Sequence, residues 1–259
     1  MPRPTERLAL LARALPDAVS RGEIAAVFQP QFSLSTARIA SVEALSRWRH
    51  SSLGLILPSE FIPIAEETDV ISQIGDRMTE LACAAVSIWQ RTAPGIEIAV
   101  NISLLQLRNT DFAARFIRFV DAASADIRSL IVEVTESTRA ADVPAAAQNL
   151  RKLADAGVTI SIDDFGSGHS SEEQVAALPA TELKVDMQLV QNPGLDGGDR
   201  LSEAVRFGQA RKMRVVAEGV ETTEQLDRVR ELGCDRAQGF LLGQPESSQQ
   251  IGARLAAPG

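Results

Sequence analysis

The sequence of 259 residues has few cysteines and histidines, the residues that cross-link small secreted proteins or bind zinc. It has two cysteines, too few for a disulfide framework, and this number suits a reducing compartment. We therefore expect Cys83 and Cys234 to be buried apolar residues. The two histidines, His50 and His169, are not at a metal-ligand spacing, which argues against a zinc site.

A surplus of positive charge and a long apolar run are also missing. Lysine and arginine total 26 against 34 aspartates and glutamates, a net charge of −8, which argues against non-specific binding of duplex nucleic acid. No run approaches the roughly 18–20 apolar residues that a membrane span needs. The stretch Leu8–Ala12 is too short for the core of a signal peptide. We expect a cytoplasmic protein, or a cytoplasmic domain of a larger one.

The chain instead has the composition of a globular protein, with 45% hydrophobic and 23% charged residues. Short apolar runs alternate with longer amphipathic stretches, and no linker interrupts them. Runs such as Glu97–Asn101, Leu130–Val134 and Val158–Ile162 are typical of strands buried on both faces of a parallel sheet. The repeated strand–helix units predict a doubly wound sheet or a TIM-like (β/α)₈ barrel. The first predicted strand lacks a following G-x-G-x-x-G, which disfavours a dinucleotide-binding sheet.

A polar residue ends each of seven predicted strands. In chain order these are Glu43, Asn101, Glu133, Asp163 with Asp164, Lys184, Glu218 and Gln238. In a barrel the carboxyl ends of the strands meet at one mouth, where active sites lie. Carboxylates crowded there need protons or cations, and oxygen ligands favour Mg²⁺ or Mn²⁺. For any one of these residues, a solvated loop start or a structural ion pair is the alternative.

Three of these positions suggest chemistry on a phosphate ester. Asp163 and Asp164 are adjacent, so one carboxylate could bridge two metal ions, the arrangement that cleaves phosphate esters. Lys184 could hold a phosphate or lower the pKa of an attacking water. Glu218 is a candidate general base.

Motifs spread from about Leu8 to Pro245 point to a family. The first is Glu43-Ala44-Leu45 followed by Arg47-Trp48. The others are Phe28–Pro30, Pro58–Glu66, Asn101–Ser103, Glu133–Ser137, Asp163–Gly168, Leu183–Asp186, Ala217–Thr222 and Gln238–Phe240. Together they resemble the EAL-domain family, the cyclic di-GMP phosphodiesterases. The resemblance implies a barrel whose first strand is antiparallel to the rest, and hydrolysis of cyclic di-GMP to linear pGpG with two Mg²⁺ or Mn²⁺ ions.

The resemblance also implies one domain over residues 1–259, with an N-terminal helix over 1–22, the barrel over 23–245 and a C-terminal helix or tail over 246–259. The residues expected to hold the metal ions are Glu43, Asn101, Glu133, Asp163 and Asp164. Those expected to act in catalysis are Glu43, Lys184, which would orient the water, and Glu218. Those expected to bind substrate are Gln29, Arg47 and Gln238, the last by supporting metal-bound waters. Glu136 would anchor the loop from Asp163 to Ser171.

Several positions depart from the family pattern. Phe28, His169 and Phe240 stand where the family has tyrosine, which the chain lacks altogether. Glu172 and Gln174 stand where the family has apolar residues, on a helix that by resemblance borders a dimer interface. Homodimerisation and the level of activity are therefore left open. The alternatives are a receptor that binds cyclic di-GMP without cleaving it, and an interaction protein that acts through the Glu172 helix. In a longer protein, an upstream sensory or cyclase domain would be a further partner.

Overall fold

The structure, a computed structural model, describes residues 4–135, 144–167, 175, 177–192 and 199–257. The predicted loop anchor Glu136 and the departures His169, Glu172 and Gln174 lie outside the described residues. Within the described ranges, none of the helices combines the length and the apolarity that crossing a lipid bilayer requires.

The chain begins with a helix that leads into a long hairpin. Helix α1 (Pro4–Ala14) and a 3₁₀ turn bury Leu11 and Leu15. Strands β1 (Ile24–Ser33) and β2 (Ile39–His50) then pair antiparallel, with Gln29 opposite Glu43. A short strand that the sequence did not predict, β3 (Gly54–Ile56), pairs with the end of β2. Helices α2 (Pro58–Glu67) and α3 (Ile71–Trp89) follow.

Strands and helices then alternate, as the apolar pattern predicts. The strands are β4 (Glu97–Asn101), β5 (Leu130–Thr135), β6 (Thr159–Phe165), β7 (Glu182–Val185), β8 (Arg214–Ala217) and β9 (Arg236–Ala237). The helices are α4 (Leu104–Leu107), α5 (Phe112–Ala123), α6 (Pro144–Asp155), α7 (Met187–Gln191), α8 (Arg200–Ala210), α9 (Thr223–Glu231) and α10 (Ser248–Ala256). Gly157, with φ +104°, turns the chain from α6 into β6 in a conformation that favours glycine.

Eight of the strands close into a barrel. The ring runs β2, β4, β5, β6, β7, β8 and β9 as parallel neighbours. Strand β1 completes the ring by pairing antiparallel with β2 on one side and with β9 on the other. Strand β3 lies outside the ring as an extension of β2. The predicted (β/α)₈ barrel with an antiparallel first strand is confirmed.

The predicted end of β2 was wrong. The sequence suggested a strand over Arg38 to Leu45, but β2 continues to His50. It continues because residues up to Trp48 keep their pairing with β1, and Trp48 to His50 also pair with β3. Glu43 is therefore inside a strand. It still reaches the barrel mouth, because β4 pairs with β2 only as far as Ala44.

The apolar core lies between the barrel wall and the helices that surround it. Ile98, Val132 and Ile160 are fully buried, and strand positions of this kind pack against the surrounding helices. Burying each such side chain stabilises the fold by roughly 1.5–3 kcal/mol. The opposite faces of the same strands point into the barrel and carry the polar residues described below. The barrel wall is therefore stabilised by apolar packing on its outer face.

Charged residues that begin four strands close the N-terminal end of the barrel. Arg214 Nε lies 2.5 Å from Glu182 Oε2, and Arg214 Nη1 lies 3.1 Å from Glu97 Oε2. Arg236 pairs with Glu97 as well. Glu182 is completely buried, yet two guanidinium groups face the two carboxylates. Charge is therefore balanced at this end, in contrast to the opposite mouth.

Candidate active site

The C-terminal mouth of the barrel gathers carboxylates around one buried ammonium group. Lys184, on β7, is 1% exposed. Its Nζ lies 2.8 Å from Glu218 Oε1, 2.9 Å from Asp163 Oδ1, 3.1 Å from Glu133 Oε1 and 3.6 Å from Glu43 Oε2. The structure thus brings together the strand-end residues that the sequence singled out, although their roles stay predictions.

The register of the parallel strands sets the height of these side chains along the barrel axis. Asn101 at the end of β4 is paired with Glu133 on β5. Thr135, two residues after Glu133 on β5, is paired with Asp163 on β6, so the aspartate lies at the same rim of the barrel. Side chains alternate between the two faces of a strand, which turns Glu133 inward while its neighbours Val132 and Val134 pack outward in the core.

Glu43 is held by two amide side chains. Asn101 Nδ2 donates to Glu43 Oε1 at 2.7 Å, and Gln238 Nε2 donates to Glu43 Oε2 at 2.7 Å. Burial alone would raise the pKa of Glu43. The ammonium of Lys184 and these hydrogen bonds outweigh burial and hold the pKa below its ordinary value. Glu43 is therefore an ionised carboxylate at neutral pH.

Glu133 is in the opposite situation. Its side chain is completely buried, and its Oε2 has no hydrogen-bond or ion-pair partner among the described residues. Burial, followed by the charge of Glu43, raises the pKa of Glu133 well above its usual range, although Lys184 opposes this. The other oxygen, Oε1, and Oδ1 of Asp163 have the shared ammonium of Lys184 as their ion-pair partner. A buried carboxylate oxygen without a donor is a group that a cation satisfies.

Two further carboxyl groups have raised pKa values. Burial, with the charges of Asp163 and Glu43, raises the pKa of Glu218 to about 8, against the opposing effect of Lys184. Burial and the adjacent Asp163 raise the pKa of Asp164 to about 6. Both groups titrate near neutrality, so small changes of charge in the mouth change their protonation.

The donor set fits a hard divalent cation. Carboxylate oxygens of Asp163, Asp164 and Glu218 lie within 4.8 Å of one another. With Glu43 and Glu133, five carboxyl groups share the mouth with the single ammonium of Lys184. Oxygen donors without imidazole or thiolate are the ligands that Mg²⁺ and Mn²⁺ prefer. The carboxylates at the mouth therefore carry negative charge beyond what Lys184 neutralises, and a bound cation would neutralise it.

A largely apolar cavity of about 710 Å³ opens beside the carboxylates, and Asn101 and Glu133 form part of its wall. Leu45, Pro58 and Ile62 supply apolar surface. This volume is typical of a small-molecule site. A cavity of this kind next to the carboxylates can hold the apolar faces of a ligand whose reactive group lies at the barrel mouth.

Three polar residues of the cavity, Glu66, Ser103 and Gln106, were not singled out from the sequence, in contrast to Asn101 and Glu133. Ser103 Oγ donates to Glu66 Oε1 at 2.6 Å, and both residues line the cavity. Gln106 Nε2 also lies in this wall and donates to no described residue. The available signals were weak, because Glu66 ends a quoted motif and Gln106 is three residues after Ser103, the N-cap of a capping box.

The three predicted substrate residues differ in their freedom to bind a ligand. Gln29 and Gln238 are buried, and Gln238 Nε2 donates to Gln29 Oε1 at 3.1 Å. Arg47 is half-buried, its Nη1 donates to the Ser46 carbonyl at 2.8 Å, and it makes no ion pair with any described residue. Burial lowers the pKa of the Arg47 guanidinium, with Glu43 opposing. The charge of Arg47 is thus available to an anion.

The family-pattern departures within the described ranges lie in different environments. Phe28 is buried, and its ring meets Trp89 edge-on at 5.2 Å, so a hydroxyl there would enter the core. Phe240 is 60% exposed. Cys83 and Cys234 are buried and unpaired, as expected, and burial raises the pKa of each thiol to about 12.

Comparison with known sequences extends the resemblance. A profile of the EAL domain matches residues 12–245. The bifunctional diguanylate cyclase/cyclic di-GMP phosphodiesterase MucR of Pseudomonas aeruginosa is 38% identical over 97% of this chain and 37% of its own length. A cyclic di-GMP phosphodiesterase of the same organism is 33% identical over 87% of this chain and 39% of its own length. The chain thus spans less than two-fifths of these relatives.

Two solved structures have the same fold. The PaMucR phosphodiesterase in its c-di-GMP complex superposes with a TM-score of 0.87 and 38% identity, covering 93% of this chain and 99% of that one. The EAL enzyme Bd1971 in its cAMP- and cyclic-di-GMP-bound form gives a TM-score of 0.90 with 25% identity, over 98% of this chain and 70% of that one. Since the profile covers almost the whole barrel, the chain belongs to the EAL domain family.

Proposed function

We propose that this chain is a metal-dependent phosphodiesterase that hydrolyses cyclic di-GMP to linear pGpG. The observation that carries the proposal is the ring of buried carboxylates that share the single ammonium of Lys184, with Oε2 of Glu133 left without a partner among the described residues, beside a cavity of ligand size. The names of the relatives support the substrate. We treat residues 1–259 as one EAL domain, with the barrel core over 23–245.

The residues proposed as metal ligands are Glu43, Asn101, Glu133 and Asp163 for one cation and Asp163 and Asp164 for a second, each Mg²⁺ or Mn²⁺. Asn101 suits this role because its Nδ2 donates to Glu43, which leaves its Oδ1 as the ligand atom. When bound, the cations supply an activated water and offset charge on the phosphate oxygens.

Glu218 and Lys184 handle the proton and the developing charge. Glu218, whose pKa is about 8 in the metal-free protein, loses its proton when cations bind, and its carboxylate then accepts a proton from the attacking water. The water oxygen bonds to phosphorus, the bond from phosphorus to the ribose 3′ oxygen breaks, and that oxygen takes a proton from solvent. Lys184, whose pKa its carboxylate neighbours raise well above the ordinary value despite burial, stays charged throughout and orients the water.

The cavity and Arg47 bind the dinucleotide. A guanine base is flat and carries N–H donors, and we assign its apolar faces to Leu45 and Pro58 and its N–H groups to Glu66, since all three residues line the cavity. Ser103 occupies Oε1 of Glu66, which leaves Oε2 as the acceptor for the base. Arg47 pairs with a phosphate. Gln29 contacts the substrate at the edge of this site.

We place this reaction in the cytoplasm, which the unpaired buried thiols of Cys83 and Cys234 support. A homodimer and an upstream sensory or cyclase domain stay predictions of the resemblance.

The decisive experiment is incubation of the purified chain with cyclic di-GMP and Mg²⁺ or Mn²⁺, followed by chromatographic separation of the nucleotides. We expect pGpG from the wild type and a rate at least about a hundredfold lower from Glu43→Gln, because a metal ligand is lost. The same substitution at the exposed Glu231 on α9 is the matched control and should leave the rate unchanged.

Tight binding of cyclic di-GMP without release of pGpG would make the chain a receptor and contradict the enzyme proposal. A chain that neither bound nor cleaved the dinucleotide would instead point to an interaction protein.

A further inference from the structure

A completely buried glutamine on β1 connects to the carboxylate site through a chain of side-chain amides. Gln31 is 0% exposed and follows Gln29 by two residues, so both point into the barrel. Gln31 Nε2 donates to Gln238 Oε1 at 2.8 Å. Gln238 Nε2 in turn donates to Glu43 Oε2. Gln31 is thus connected to Glu43 through one intervening side chain, that of Gln238.

Two groups that can only accept hydrogen bonds, the Gly243 carbonyl and the Glu43 carboxylate, fix the orientation of the Gln238 amide. Gln29 Nε2 donates to the backbone carbonyl of Gly243 at 3.1 Å, and a carbonyl can only accept. The other atom of the Gln29 amide is therefore its oxygen, which accepts from Gln238 Nε2 at 3.1 Å. Glu43, as a carboxylate, also only accepts. Both hydrogens of Gln238 Nε2 are consumed in this way.

The remaining atom of the Gln238 amide, Oε1, then needs a donor, and Gln31 supplies it. If the Gln238 amide turned over, its oxygen would face the oxygens of Glu43 and Gln29 inside a buried site, where an unpaired polar group is most costly. Oε1 of Gln31 has no partner among the described residues, so the Gln31 amide takes the orientation that gives Gln238 a donor. The hydrogen bond from Gln31 thus satisfies the atom of the Gln238 amide that Glu43 and Gln29 do not use, and it keeps the Gln238 N–H on Glu43.

We propose that Gln31 is a positioning residue for the carboxylate site, which holds the Gln238 amide in place and through it Glu43, without contacting substrate or cation itself. This inference rests on the proposed function only in taking Glu43 as a metal ligand. No motif points to Gln31, because it lies outside every motif quoted for the family resemblance.

The test is a double-mutant cycle with Mn²⁺ affinity, measured by calorimetry on the metal-free protein, as the first readout. Gln31→Met keeps the length of the side chain and removes its donor. We expect Mn²⁺ binding about tenfold weaker, the size of effect that loss of a ligand's supporting hydrogen bond produces. We expect kcat for cyclic di-GMP to fall by a similar factor with KM unchanged, because Gln31 does not touch the substrate.

The cycle separates this role from a structural one. If Gln31 acts through Gln238, Gln31→Met should weaken Mn²⁺ binding no further in a Gln238→Met background. Gln90→Met is the matched control, since the Gln90 amide donates to Ser129 beside the start of β5, at the opposite end of the barrel. It should leave both Mn²⁺ affinity and kcat as in the wild type.

Unchanged Mn²⁺ affinity in Gln31→Met, or additive losses in the double variant, would overturn the proposal. Gln31→Leu is the second variant if Gln31→Met does not fold, and failure of both to fold would make Gln31 a structural residue and also overturn it. A wild type that binds Mn²⁺ in a Gln31-dependent way but releases no pGpG would contradict the proposed function and leave this inference standing. A wild type that binds no Mn²⁺ would contradict both the proposed metal site and this inference.

Discussion

Lys184 and Glu218 form an ion pair of 2.8 Å in which the ammonium is shielded from solvent and shared with three further carboxylates. The lysine is the only described cation among these groups within 4 Å, so its charge lowers the repulsion among all of them. A buried ion that loses its partner is strongly destabilising. The fold and the site therefore depend on the same ammonium group.

Replacing Lys184 by methionine should destabilise the metal-free protein and abolish most activity. We expect the free energy of unfolding at neutral pH to fall by about 3–5 kcal/mol, because buried carboxylates are left without a counter-charge. The rate of pGpG formation should fall by about 10²–10³, the usual cost of removing a charge that stabilises a transition state. Urea denaturation with and without Mn²⁺ measures the first effect. If Mn²⁺ did not restore part of the lost stability, the idea that cation and lysine act on the same carboxylates would fail.

Cation binding should tighten as pH rises. Asp164 and Glu218, with pKa values of about 6 and about 8, hold protons at low pH that a cation must displace. We expect Mn²⁺ affinity to rise at least about tenfold between about pH 5.5 and about pH 8.5. Calorimetry in two buffers with different ionisation enthalpies should also detect proton release. Identical apparent enthalpies in the two buffers would contradict the prediction.

The metal-free fold should show the reverse dependence. Glu218 has a pKa of about 8 in the folded state and an ordinary value of 4.5, so between these values the folded state holds more protons than the unfolded chain. The stabilising contribution is therefore complete below about pH 4.5 and is lost as pH rises through about 8. Urea denaturation in chelator should give lower unfolding free energies at pH 8 than at pH 6. Saturating Mn²⁺ should flatten or invert this trend.

The charge cluster at the N-terminal end of the barrel should affect stability without affecting the site. Glu182→Gln removes the buried partner of Arg214, and we expect a loss of about 3–5 kcal/mol with unchanged Mn²⁺ affinity. The exposed pair of Asp227 and Arg230 is the comparison, and Asp227→Asn should change stability by less than about 1 kcal/mol. A change of Mn²⁺ affinity in Glu182→Gln would show that the two ends of the barrel are coupled.

The two cysteines should be inert in the folded protein. Burial raises the pKa of Cys83 and of Cys234 to about 12, so almost no thiolate is present at about pH 8. We expect no reaction with a disulfide reagent under native conditions and two equivalents of reaction in urea. Rapid modification of a native thiol would place that cysteine in a more open environment than the structure describes.

Much of the barrel mouth was predictable because parallel strands obey a simple rule. A polar residue that ends an apolar run lies at the rim, and this rule alone groups Asn101, Glu133, Asp163 and Lys184. Glu43 also lies at the rim, but the strand end predicted there was wrong, because an antiparallel partner and β3 extend β2 beyond the rim. The antiparallel β1 was available only from the resemblance, since strand direction leaves no trace in the spacing of apolar residues.

What the sequence could not reveal are contacts between residues far apart in the chain. The Arg214–Glu182 pair and the approach of Gln31 to Gln238 depend on ring closure, and each residue alone is indistinguishable from a solvated polar residue. The cavity was missed for the same reason, because its walls come from α2, α3 and the segment after β4, and local periodicity does not place these relative to one another.

Ring closure by β1 has a consequence for a chain that is still being synthesised. The first hairpin carries Glu43 and Gln31, while Gln238 directly follows β9, roughly two hundred residues later, and β1 pairs with both β2 and β9. A nascent polypeptide whose strand β9 is still inside the ribosome therefore has its carboxylates but only one of the two amides that hold Glu43. Metal binding at full affinity should begin only after β9 has left the ribosome and β1 has closed the ring.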